Sequence, residues 1–179
     1  RWRWRAAGGP DVQALVDLSM AHYIKEIEGI FKADPIEGSR NLMLAIVNQF
    51  YNPKKELVSV AQDQASGKII AYTWAERGQR HAWSTEEMVM VRVAHIDLSA
   101  SQRERVFLTA QMLRMWEVWA RACELNIICS STVRGDQKAF IELHRQAGYD
   151  IRGSICYKRL APQPQETSKF AQQFMTGEQ

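Results

Sequence analysis

The chain has 179 residues, 46% hydrophobic and 24% charged, and its 23 Lys and Arg against 20 Asp and Glu leave a net charge of +3. That is the profile of one globular domain able to bury a core without a disulfide or metal, and it argues against a dedicated nucleic-acid partner, since the only basic run is short and N-terminal. No apolar run approaches the ~18 residues of a membrane span and no signal-peptide pattern opens the chain; three Cys (Cys123, Cys129, Cys156) without CxxC spacing argue against a disulfide framework or zinc ribbon and point to reduced thiols in a cytoplasmic protein.

In chain order, residues 1–7 (RWRWRAA) alternate, with Trp2, Trp4 and Ala6 on one side and Arg1, Arg3 and Arg5 on the other. This predicts a half-buried strand, and edge-strand packing accounts for it without a nucleic-acid or membrane contact. Gly8-Gly9-Pro10-Asp11 breaks the strand and starts a helix, with Pro and an acid where a helix N-terminus favours them. Val12, Leu15, Val16, Tyr23, Ile27 and Ile30 carry that helix to about Phe31. Ala33-Asp34-Pro35 ends it, and a second helix is expected over 39–51, before Asn52-Pro53. Residues 57–61 and 68–74 form a hairpin, and 88–96 is a long apolar strand suited to the middle of a sheet.

A helix over 102–124 follows, burying Val106, Leu113, Trp116, Ala120 and Cys123, and then a strand over 127–133. A short helix over 137–147 gathers Phe140, Leu143, His144 and Ala147 on one side, and Gly148 suits the left-handed position after it. Residues 149–160 are expected to return as one or two strands. Residues 161–179 are rich in Gln and Pro and are read as an arm appended to a domain over 1–160, with Phe170, Phe174 and Met175 on one ridge. A strand–helix–strand step must be parallel and right-handed, so the order specifies an α+β fold: a mixed, mainly antiparallel sheet with helices on both faces.

The opening Arg5-Ala6-Ala7-Gly8-Gly9-Pro10-Asp11 is similar to the first strand and helix of the GNAT superfamily. The stretch from Ala139 through Phe140, Leu143 and His144 to Gly148-Tyr149 resembles its fourth-helix signature, in which an apolar helix ends in Gly-Phe or Gly-Tyr. On these residues and on the element order, the chain resembles GNAT acyl-CoA N-acyltransferases over about 1–160. The resemblance implies acetyl-CoA or another acyl-CoA as cofactor and an amine as acceptor. It also implies that main-chain groups of the fourth strand, at Val91 and Val93, pair with the pantetheine arm. In the family, a Gln/Arg-x-x-Gly-x-Gly/Ala loop cradles the diphosphate, because glycines let helix-head amides approach it. The matching residues here are Gln102, Arg103, Glu104, Arg105, Val106 and Phe107. Arg105 and Phe107 stand at the two glycine places and Glu104 adds a negative charge, while Arg103 and Arg105 offer side-chain attraction.

Acyl transfer to an amine needs a base, donors to the carbonyl oxygen and an acid for the leaving thiolate. Many family members place a Tyr as that acid four residues before the helix-ending glycine; His144 stands there, and its plain alternative is a helix-face residue at the core edge. Glu87 and His95 lie at either end of the fourth strand, followed by Asp97, and His95 is the better placed as base; its plain alternative is an exposed strand end. Cys129 has no base beside it and reads as core. His22 and His81 show no metal-ligand spacing, and no metal is expected. The filled glycine places also fit a second implication: a GNAT fold without cofactor, a structural or assembly part such as a tailed-phage virion component. Protein partners or a homo-oligomer would then be held through Trp116, Trp119 and the C-terminal arm.

Overall fold

A computed structural model of the protein describes residues 1–27, 29–153 and 155–159. The alternating RWRWR run forms β1 (Trp2–Ala6), the edge of a five-stranded sheet continued by β2 (Glu56–Asp63), β3 (Ile69–Arg80), β4 (Glu87–Ile96) and β5 (Ile127–Cys129), in that spatial order. Neighbours are antiparallel except β4 and β5, which are parallel. The helices are α1 (Val12–His22), α2 (Pro35–Tyr51), α3 (Gln102–Ala122) and α4 (Lys138–Gln146). α3 makes the crossover that the parallel pair demands.

Each sheet face buries its own core. On one, Leu108, Met112 and Trp116 of α3 cover Ala61, Ala71, Ala75 and Val89; on the other, Leu15 of α1 and Leu42 and Ile46 of α2 cover Val58, Val60 and Tyr72. The small alanines on the first face make room for the Trp116 ring, which is only 1% exposed. Its indole donates to the Thr73 hydroxyl at 2.9 Å, and that hydroxyl donates to the Val93 carbonyl at 3.0 Å. Trp119 donates to the Pro53 carbonyl at 2.8 Å. The expectation that both rings serve partner contacts is therefore corrected: Trp116 is a core anchor and Trp119 pins a loop.

Several boundaries differ from the sequence reading. α1 stops at His22 and passes into a π-helical turn, Tyr23–Ile27, rather than running straight to Phe31. α2 begins at Pro35, because the Asp34 carboxylate accepts from the Ile36 and Glu37 amides at 3.0 Å each; an N-cap and a Pro at the first position start a helix there. β5 spans only Ile127–Cys129, and residues 149–153 and 155–159 form no strand. In their place, Arg159 donates to the Ile30 carbonyl and Tyr157 meets Phe31 edge-on at 5.1 Å. The arm at 161–179 lies outside the described residues.

Candidate functional site

β4 and β5 pair at only three positions, Met88 with Ile127, Val89 with Ile128 and Met90 with Cys129. β4 runs on to Ile96 beside β3, while β5 ends at Cys129, so the sheet parts into a gap in which one edge of β4 has no partner strand among the described residues. The Asp97 amide donates to the Ile70 carbonyl at 2.7 Å, which turns the Ile96 carbonyl the opposite way, into the gap. Strand alternation gives the Ala94 main-chain groups the same side.

The β3–β4 register sets Trp74 against Val93 and Ala75 against Val91, so Arg92 is an extra residue, a β-bulge. Bulges re-aim the side chains that follow them. Val89 and Val91 belong to the α3-side core, whereas Val93 packs on the α1 side. Main-chain groups at Val91 and Val93 were expected to pair with the cofactor; the bulge puts the two side chains on opposite faces, and the Val93 carbonyl accepts from the Thr73 hydroxyl on the β3 side. The same shift carries His95 onto α1.

There His95 joins a polar cluster. Its ring stacks on His22 at 4.4 Å between centroids and meets Tyr72 edge-on at 5.7 Å. Its Nδ1 lies 3.3 Å from the Ser19 hydroxyl, which is also bonded to the Tyr72 hydroxyl. Burial, and then the neighbouring His22 and Arg134, bring the His95 pKa down to about 3, so the imidazole is neutral with a lone pair available. Burial likewise lifts the Tyr72 phenol to about 12. His22 is 1% exposed; its Nε2 donates to the Ile96 carbonyl at 2.6 Å and its Nδ1 lies 2.9 Å from the Glu26 carboxylate. Arg134, on the chain leaving β5, places its Nε 2.8 Å from the same carboxylate. Glu26, Ser19, Tyr72 and Arg134 were not singled out from sequence, and His22 was weighed only as a metal ligand. His22 and Glu26 stand four apart on a helix end, which was the one legible signal.

The other candidates are dispersed. Glu87 sits at the opposite end of β4 from His95, in a two-point pair with Arg77 at 2.5 and 3.0 Å. That hydrogen bonding holds its carboxyl below the usual range, so the structure gives Glu87 an ion pair and does not bring it to the gap. His144 is 2% exposed on the α3 side. Its Nδ1 donates to the Phe140 carbonyl at 2.8 Å and its Nε2 accepts from the Ser130 hydroxyl at 3.0 Å. Burial lowers its pKa, and with both nitrogens engaged it holds the first residue past β5 in place. Beside it, at 4.9 Å between ring centroids, is Tyr149. Among the described residues its hydroxyl is buried without a hydrogen-bond partner. Burial, then Glu117 and Cys129, raise that phenol to about 12. No cluster of His, Cys, Asp or Glu suited to a metal occurs among the described residues, and no helix there is long and apolar enough to cross a membrane.

At the head of α3 the sequence reading needs correction. The helix starts at Gln102, so Arg105, Val106 and Phe107, expected in a phosphate loop, lie in its first two turns with their amides spent inside the helix. The Phe107 ring turns toward β1, edge-on to Trp2 at 5.9 Å, and does not plug the loop. Arg105 folds back on the loop, donating to the Ala100 carbonyl at 2.9 Å and to that of Leu98. Ser101 and Glu104 form a capping box: the Glu104 carboxylate accepts from the Ser101 amide at 2.9 Å and is paired with Arg1. The Gln102 and Arg103 amides have no intrahelical partner. The unpaired β4 edge therefore fits a pantetheine arm. The helix head fits a diphosphate through the Gln102 and Arg103 amides and the exposed Arg103 side chain, with Glu104 opposing.

No protein-family model matches this chain, and no curated protein matches it in sequence. Solved structures do match. Glucosamine-6-phosphate N-acetyltransferase from Arabidopsis thaliana superposes with a TM-score of 0.64 at 12% identity, over 90% of this chain and 99% of that one. An aminoglycoside antibiotic 6'-N-acetyltransferase from Acinetobacter baumannii gives 0.65 at 10% identity, over 91% and 100%. A predicted acetyltransferase with acetyl-CoA from Clostridium acetobutylicum gives 0.64 at 15% identity, over 89% and 96%. At these identities the likeness is one of fold, and it agrees with the mixed, mostly antiparallel sheet and its helices. The chain has the GNAT fold of the N-acetyltransferases.

Proposed function

We propose that the chain is an acyl-CoA-dependent N-acyltransferase acting on an amine across the gap between β4 and β5. The carrying observation is the coincidence of a strand edge without a partner strand among the described residues with a half-buried, neutral His95 near the end of β4. Bound acyl-CoA supplies a thioester carbonyl: the acceptor nitrogen forms a C–N bond to that carbon as the C–S bond breaks. Two protons leave the acceptor ammonium, one to solvent and one, in net, to the departing sulfur. His95 accepts a hydrogen bond from the amine through Nε2 and orients its lone pair. With its pKa near 3 it directs the proton outward rather than storing it. Ser19 and Tyr72 fix the imidazole through Nδ1. Tyr149, its hydroxyl without a partner, is the donor toward the leaving sulfur, with His144 steadying Ser130 beside it.

Two measurements test this reading. Calorimetry with acetyl-CoA is expected to give micromolar affinity, weakened when Arg103→Ala removes an exposed cation at the α3 head. Thiol release in the presence of small amines is expected to drop about 10²-fold in His95→Ala, a typical contribution for a positioned proton-transfer group, with acetyl-CoA binding retained. A flat titration up to millimolar acetyl-CoA rejects the proposal. One observation favours a second reading, a GNAT fold used without cofactor: the Glu104 carboxylate already occupies the anion-favouring end of α3. If Glu104→Gln, like the unchanged protein, fails to bind acetyl-CoA, the assembly reading replaces the enzymatic one.

A further inference from the structure

We propose that the Glu26 carboxylate is the seat for a positive charge carried by the acceptor, and that Arg134 occupies this seat from within the chain. The inference rests on the acyltransferase reading of the gap and adds the class of acceptor: an amine bearing a second cationic group, guanidinium or ammonium.

Arg134 belongs to the stretch between β5 and α4, yet its guanidinium crosses to the α1 side of the gap. Its Nε lies 2.8 Å from Glu26 Oε2 and a terminal nitrogen 3.3 Å from His22 Nδ1. Its side chain is 39% exposed, while the carboxylate it meets is 18% exposed. A half-exposed ion pair on an irregular stretch contributes little to stability, and Gly135 beside it, with no neighbouring atoms within 4 Å of a built Cβ, leaves room to withdraw. The cation is the exchangeable partner, and the acceptor group is the fixed one.

The fixity of Glu26 comes from the π-helical turn Tyr23–Ile27, a local widening often found at functional sites. His22 is clamped to the Ile96 carbonyl by Nε2, and its Nδ1 lies 2.9 Å from the Glu26 carboxylate. The His22 ring in turn stacks on His95 at 4.4 Å. A cation on Glu26 is thus one imidazole away from the residue that orients the reacting amine. A second cationic group on the acceptor replaces one positive charge with another and leaves the half-buried carboxylate paired while the first amine stays free to react.

The test uses calorimetry with agmatine, which carries one amine and one guanidinium, on the full chain without acyl-CoA. Arg134→Gln and Arg134→Gly are expected to bind agmatine about 10-fold more tightly than the unchanged protein, as when an internal occupant fills the seat about nine-tenths of the time. Methylguanidinium chloride is expected to raise the melting temperature of Arg134→Gly and to leave that of Arg134→Gly/Glu26→Gln unmoved. Equal agmatine affinity with and without Arg134 overturns the proposal, as does tight binding that survives Glu26→Gln. The acetyl-CoA titration of the unchanged protein fails or succeeds independently, so loss of the acyltransferase reading is distinguishable from loss of the cation seat.

Discussion

His95 carries a pH signature that can be read without any ligand. Its native pKa is about 3 because burial and the neighbouring His22 and Arg134 disfavour the imidazolium, whereas an unfolded His titrates near ~6.5. Between those values the unfolded chain binds a proton that the native state refuses, so stability falls as pH falls through that window. The slope from this one group is at most about 1.4 kcal/mol per pH unit. His95→Gln is therefore expected to show a shallower loss of urea resistance between pH 6.5 and about 4.5 than the unchanged protein; parallel curves would mean that the imidazole titrates freely. At this scale the sequence was least legible. His95 and His144 could be marked from their places on a strand end and a helix end. The contacts that define them come from Ser19, Tyr72 and Ser130, polar residues without a spacing pattern. Glu87 lies at the strand end where the sequence put it, but its partner Arg77 is ten residues away across a hairpin, a pairing that no helical or strand period announces.

Elements were more legible than sites, because hydrophobic period and capping chemistry are local. The clearest case is the end of α4. Gly148 at φ +84° lets its own amide reach the Arg145 carbonyl at 3.0 Å and lets the Tyr149 amide reach the His144 carbonyl at 2.9 Å, the paired bonds of a Schellman ending. A Cβ at Gly148 meets nothing within 4 Å, so Gly148→Ala isolates the cost of a left-handed residue with no clash added. The expected loss is about 1–2 kcal/mol in denaturant unfolding, and a neutral result would mean that the ending rearranges. What periodicity cannot show is a register shift. The bulge at Arg92 leaves the alternation Val89, Val91, Val93 intact in sequence, yet it moves Val93 and His95 to the other face. The start of α2 was missed at Asp34-Pro35 because a helix start and a helix stop use the same residues, and only the amides of Ile36 and Glu37 decide between them.

At the scale of the molecule, two independent cores hold a sheet that is closed at one end of β4 and open at the other, and the open end joins both faces. His95 sits on the α1 side and the Tyr149–His144 pair on the α3 side, so a thioester reaching through the gap would meet one set of groups from each half. Ligation there should couple the halves thermodynamically. A ligand that binds only the native state at 100 times its dissociation constant stabilises it by about 2.7 kcal/mol, and for a domain of this size each kcal/mol raises the melting temperature by about 2–4 °C. Saturating acetyl-CoA is thus expected to lift the midpoint by roughly 5–10 °C. Glu104→Gln should show the contrary movements that a capped anion site requires. Without ligand it melts lower, because the capping box with Ser101 and the pair with Arg1 weaken. With acetyl-CoA it gains more than the unchanged protein, because a negative charge no longer faces the diphosphate at the head of α3. If the variant melts lower by the same margin with and without the ligand, the α3 head takes no part in binding, and the diphosphate must lie elsewhere.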